Sequence, residues 1–113
     1  MVNELVLYVT DLSTLLPGVN VTVRKLSDKY RRIQQGQRCV LRDEEVDDVV
    51  GVIQHIRKCR FFNIDKEWLL KEHDACDRTK WGLYKSMISF YPGFTPLSFV
   101  AVIWFTCEEV VDV

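Results

Sequence analysis

The sequence predicts one α+β domain, a small β-barrel or curved mixed sheet flanked by two to three helices. Three observations carry that expectation. ELVLYVT (4–10), VNVTVRKL (19–26) and VVGVIQHIRKCRFF (49–62) are rich in β-branched and aromatic residues and read as strands. The stretch after Thr79 has helical spacing and stops at Tyr91-Pro92-Gly93. The closing run LSFVAVIWFT (97–106) is apolar on both faces, as expected of a central strand covered on both sides.

In order, residues 4–10 form the first strand, and Pro17-Gly18 marks the turn after LSTLL. Residues 19–26 alternate Val19, Val21 and Val23 against Asn20, Thr22 and Arg24, the pattern of a half-buried strand. Ser27 is placed to cap a short helix through Gln35, with Tyr30 and Ile33 on one face and Gly36 ending it. Residues 37–42 return as a strand and residues 49–62 as a longer one. Asn63 or Asp65 caps a helix that carries Trp68, Leu69 and Leu70 and reaches Asp77. The next helix starts at Thr79, with Trp81, Tyr84, Ile88 and Tyr91 as its apolar stripe. No repeat, linker or low-complexity segment interrupts the chain, so residues 1–113 read as a single domain.

With 113 residues, 48% hydrophobic and 27% charged, the chain has material for a real core and is not a disordered tail. Its net charge of -1 gives no global pull toward nucleic acid or anionic membrane. The distribution is less even. Residues 24–42 hold seven basic residues (Arg24, Lys25, Lys29, Arg31, Arg32, Arg38 and Arg42) and one acid, Asp28; DEEVDD (43–48) then holds five acids. The start, MVNELVLYVTDL, has neither a basic n-region nor a long apolar core, so no signal peptide is expected. No apolar run reaches the roughly 20 residues that span a bilayer. Cys39, Cys59, Cys76 and Cys107 form no CxxC pair and are expected as reduced thiols of a cytoplasmic or nuclear protein.

Several arrangements invite chemistry. The basic run could contact phosphates of single-stranded RNA or a nucleotide, because a short helix and the Gly36 turn would cluster Arg31, Arg32 and Arg38. Tyr30 and Tyr84 would then offer stacking surfaces. His55 and Cys59 are four residues apart, about 13 Å along a strand, too far to share a zinc ion. His73 and Cys76 would share a helix face, but two ligands make no structural site, so no metal or cofactor is expected, and the thiols are assigned to the interior and both histidines to the surface. Cys39, although next to Arg38, would point away from it on a strand, which argues against a nucleophile. Trp68, Trp81 and Trp104 sit in apolar patterns and are read as core.

Two segments in this order, YRRIQQGQRCVLRDE (30–44) and LYKSMISFYPGF (83–94) followed by FVAVIWF (99–105), resemble the ASCH domains. These belong to a PUA-like β-barrel superfamily associated with RNA and nucleotide binding. The resemblance covers about residues 28–106, leaves residues 1–27 as an N-terminal extension, and is closest to small bacterial hydrolases of N4-acetylcytidine. It implies a ligand pocket at Arg38, Arg42 and Asp77, with Tyr84 and Lys85 near it and Arg31 and Arg32 among the ligand-binding groups.

The departures from that branch matter. Its catalytic lysine falls on Arg38, which stays protonated and cannot be a general base. Its threonine falls on Val40 or Leu41, neither with a hydroxyl, and its glutamate on Asp77. The resemblance therefore implies RNA or nucleotide binding without a complete catalytic set. One alternative is an amidohydrolase of N4-acetylcytidine or a related nucleoside using Asp77 and Arg38 in a rearranged site. Another is a protein-interaction module built on residues 43–48 or on an open sheet edge. The family also carries two strands between the positions of Asp43 and Val49. Either the N-terminal strand or a partner, such as a second copy in a homodimer, would have to complete the sheet.

Overall fold

The computed structural model describes residues 5–9 and 11–107. Five strands, β1 (Leu5–Tyr8), β2 (Val19–Lys25), β3 (Arg38–Arg42), β4 (Val49–Arg60) and β5 (Phe99–Cys107), form one sheet in the order β1-β3-β4-β5-β2. β1 runs parallel to β3, and every other neighbour is antiparallel. The N-terminal strand thus joins the sheet, pairing Leu5 with Cys39 and Tyr8 with Arg42. A bulge between Ile53 and His55 bends the long β4. The sheet curls into a half-barrel, so residues of β1 and β2, the two ends of the order, come to line one cavity.

β5 separates two cores. Ala101, Ile103 and Phe105 pack with Leu5, Leu7, Leu41 and Ile53, beside Tyr30 of α1 (Asp28–Arg31). Val100 and Val102 pack on the other face with Val21, Val23 and Leu69, and with Leu83 and Met87 of α2 (Lys80–Phe90). The expectation of a doubly covered closing strand holds, and β2 proves covered on both faces too. Asn20 and Thr22 are buried because their polar groups are satisfied. The Asn20 amide accepts from Leu16 N (2.7 Å) and donates to Leu16 O (2.9 Å), bracing the Pro17-Gly18 turn.

The helices differ more from expectation. α1 is a single turn, and Ser27 precedes it without a side-chain cap bond. Ile33 is pulled into the core, and Gly36, at φ +85°, swings the chain into β3, where a side chain would be strained. Residues 63–77 are not an α-helix but the 3-10 turns Lys66–Lys71 and Ala75–Asp77. Asp65 and Asp74 each accept the backbone N–H two residues on (2.9 and 3.0 Å), starting new turns where a helix would need to continue. Thr79 does cap α2, through Gly82 N at 3.1 Å. Its buried face is Leu83 and Met87, whereas Trp81 and Ile88 are 67% and 45% exposed. Trp81 instead stacks along the surface on Tyr84 at 6.1 Å.

Candidate functional site

A cavity of about 240 Å³ lies between β2, residues 72–77 and α2. Thr22, Val23 and Arg24 form its floor, Glu72, His73, Asp74 and Asp77 one wall, and α2 the other through Leu83, Ser86, Met87 and Phe90. Tyr8, at the end of β1, and the following Val9 also reach it. Local sequence explains the close walls. A Cβ on Gly82 would overlap the Cys76 carbonyl oxygen, so glycine lets α2 press against the Ala75–Asp77 turn. That contact holds Asp77 beside Ser86, whose hydroxyl donates to Asp77 Oδ1 at 2.5 Å.

The wall is electrostatically loaded. Glu72 is 1% exposed, pairs with His73 Nδ1, and accepts from Asp74 N at 3.2 Å. Val21 O receives His73 N at 3.1 Å and lies 3.3 Å from His73 Nδ1, so residues 72–73 cover the outer edge of β2. Burial alone would push the His73 pKa down. The bond and charge of Glu72, helped by the Val21 carbonyl, outweigh it and raise the pKa above the ordinary histidine value. Asp77 is pushed up to about 6, chiefly by burial and further by the Glu72 and Asp74 charges, with the Ser86 bond partly offsetting them. The cavity therefore holds a carboxyl close to its titration point beside a braced imidazole.

At the mouth stands Tyr8, with a half-exposed ring and basic neighbours. Lys29 Nζ lies 5.8 Å from the Tyr8 ring centre and donates to Val6 O at 2.5 Å, clipping α1 onto β1. The Lys29 pKa is lowered, first by burial and then by the positive charge of Arg24. Arg24 donates to Thr22 Oγ1 at 3.0 Å. Arg32 shares a shallow depression with Tyr8 and Lys29. Arg42 lies on the other side of Tyr8, in a bidentate pair with Asp48 at 2.8 and 3.1 Å, next to the acids 43–45. The field thus runs from basic at Lys29 to acidic at residues 43–45, with Tyr8 at the boundary.

Of the residues expected to line one pocket, only Asp77 lines this cavity. Arg32 and Arg42 flank it through depressions shared with Tyr8. Arg38 pairs in register with Val52 at the far end of β3, about 13 Å along the strand from Arg42, and does not line the cavity. Arg31 is exposed, its carbonyl accepting from Lys58 Nζ at 2.7 Å. Tyr84 packs among Phe61, Phe94 and Trp81, and Lys85 lies 5.7 Å over the Trp81 ring, so both face away from the cavity. Tyr30 is core rather than a stacking surface, Trp81 is surface rather than core, and His73 is buried rather than exposed. His73 and Cys76 share no helix.

All four cysteines are free, but only Cys39 is buried. Burial, and then the neighbouring Cys107, push its pKa up to about 11, the opposite of an activated nucleophile. His55 and Cys59 lie on β4, and among the described residues no group of three or more ligating side chains could hold a metal ion. No helix among them is long and apolar enough to cross a membrane. Sequence reasoning missed Tyr8, Arg24, Lys29, the Glu72–His73 pair and Ser86 as one site. The available signal was the adjacent acid and histidine just after the apolar Trp68-Leu69-Leu70, and the polar Asn20 and Thr22 opposite valines.

The sequence matches no family model and no curated protein. Solved structures are more informative. The crystal structure of an ASCH domain from Lactobacillus crispatus JV V101 superposes with a TM-score of 0.61 at 12% identity, over 80% of this chain and 64% of that one. A protein of Enterococcus faecalis V583 assigned to DUF984 superposes with a TM-score of 0.52 at 13% identity, over 78% of this chain and 62% of that one. The chain thus spans less than two thirds of either neighbour. Its curled mixed sheet, with α2 and the 3-10 turns packed on one face, has the ASCH-like fold.

Proposed function

We propose that this domain binds a nucleotide, free or within single-stranded RNA, placing a base in the cavity and a phosphate on the basic side of its mouth. The observation that carries the reading is the Arg24–Lys29 pair beside Tyr8. Arg24 lines the cavity with Tyr8, and Lys29 Nζ stands 5.8 Å from the Tyr8 ring centre, so an anion at the mouth would meet both cations. Tyr8 supplies a half-exposed ring for stacking, with Arg32 and Arg42 on either side. Asp77 and Ser86 offer a donor and acceptors to a base edge. The volume, below the roughly 300–1,000 Å³ of sites for drug-sized ligands, suits a base or nucleoside rather than a longer segment.

Affinity for a short single-stranded RNA, measured across a salt series, tests the reading. Binding should weaken as salt rises, and Lys29→Gln or Arg24→Gln should each lower the slope of log affinity against log salt by about 0.7. Salt-independent binding, or slopes unchanged in both variants, would remove the phosphate site.

A second reading, hydrolysis of N4-acetylcytidine or a related amide, is favoured by one observation: Asp77, with a pKa of about 6, stands in a partly enclosed site beside Ser86 and the Glu72–His73 pair. It predicts release of cytidine from N4-acetylcytidine at a rate abolished in Asp77→Ala. Absence of turnover by the pure folded chain excludes it.

A further inference from the structure

A second feature lies away from the cavity. β3 begins at Arg38, paired with Val52, while β4 continues past Val52 to Arg60. At the junction Gly36 N donates to Ile53 O (2.7 Å) and Ile53 N to Gln37 O (2.8 Å). Beyond that point β4 pairs with β5 alone; among the described residues no backbone group bonds its other edge. The Lys58 side chain reaches across to Arg31 O. A groove of about 530 Å³ occupies this space, with Ile33 and Gln35 on one bank and every residue from His55 to Cys59 on the other. A groove over one face of a strand would touch alternate residues, so five consecutive ones mean that it follows the strand's edge.

The groove carries charge of one sign. Arg57 and Lys58 line it, Arg31 borders it, and no acidic residue does. Arg57 lies 5.4 Å over the Trp68 ring, an anchored cation rather than a loose one. Ile33 and Ile56 give the groove apolar patches. Basic side chains on an edge deter pairing with a copy of the same basic strand. They leave the edge open to a strand of opposite charge.

We propose that the exposed edge of β4, residues 54–60, is a docking site for an extended acidic peptide that adds to the sheet as a further strand. Main-chain pairing gives affinity, acidic side chains on one face meet Arg57, and apolar ones on the other lie on Ile33 and Ile56, where Lys58 adds a general attraction for an acidic chain. A nucleic acid would satisfy the cations but has no row of N–H and C=O groups to pair with the strand. The site is independent of the nucleotide reading.

Amide hydrogen exchange of the whole chain at low salt, with and without a short peptide of alternating glutamate and valine, tests this. Exchange at residues 54–60 should slow by about tenfold or more on binding, while the cavity residues stay unchanged. The fold-preserving surface changes Arg57→Glu and Arg57→Glu with Lys58→Glu should each weaken binding, the double change by about tenfold or more, and the double variant should prefer a lysine–valine peptide. Unchanged exchange, or equal binding of both peptides by the natural sequence, overturns the proposal. Protection of residues 54–60 without peptide in a dimer seen by light scattering assigns the edge to a second copy instead. Protection by single-stranded RNA alone assigns it to nucleic acid.

Discussion

β5 carries two cores on one backbone, and they are built differently. Ala101, Ile103 and Phe105 lie on one face of β5, where the regular pleats of β1, β3 and β4 supply apolar side chains that fill the space. Val100 and Val102 face α2 and the 3-10 turns, and beside that core lies the cavity with Glu72, His73 and Asp77 in its wall. A face on which four strands supply apolar side chains at fixed spacing, with Leu12, Tyr30 and Ile33 over them, packs shut. A face closed by one short helix and irregular turns leaves a gap where the turns meet β2, and that gap admits polar groups. The pocket belongs to the irregular face for this reason.

The largest test of this contrast is in the cores themselves. Phe105→Ala, in the filled interior, should cost about 3–5 kcal/mol in urea unfolding, whereas Met87→Ala, beside the existing cavity, should fall near 2 kcal/mol. Equal or reversed costs would erase the difference between the faces. Next comes the buried pair. Glu72→Ala should cost about 2 kcal/mol, limited because the imidazole can escape by losing its proton. The His73 pKa is raised in the fold, so its contribution is present below the ordinary histidine value and lost as pH rises through the folded one. The penalty of Glu72→Ala should therefore be larger in mild acid than in alkali.

The smallest effect is at Asp77. Its pKa is raised in the folded state to about 6, so the fold binds the extra proton and stability should fall as pH rises from about 4 to about 6. Discounted for partial exposure, the change is about 1 kcal/mol. Asp77→Asn should flatten that part of the stability profile, and a profile identical to that of the natural sequence would show that Asp77 is not held in the low-polarity wall.

Much of the fold was legible because strand signals are local. Val21 and Val23, the apolar closing run and the Thr79 cap each announce themselves within a few residues. The helices were less so. The Trp81–Ile88 stripe has helical spacing, yet Leu83 and Met87 face the core, because the choice between two apolar faces is made by what packs opposite. Asp65 and Asp74 could cap a long helix or begin short turns, and sequence does not separate those outcomes. For the candidate site, the resemblance placed Asp77 in a pocket, and Asp77 does line the cavity. The pocket expected around Arg38 was not formed, because curling brings the Tyr8 end of β1, rather than the Arg38 end of β3, toward β2. Tyr8 and Arg24 stand sixteen positions apart with nothing in the sequence to join them; only closure of the sheet does so.

The central claim is that the ligand site is the cavity behind Tyr8. Amide shifts of the labelled chain during titration with a nucleoside monophosphate at low salt test it most directly. Binding in the cavity should give shifts grouped at Tyr8, Thr22, Arg24, Lys29, Asp77 and Ser86. Shifts grouped instead at Arg38, Tyr84 and Lys85, or no shifts at all, would contradict it.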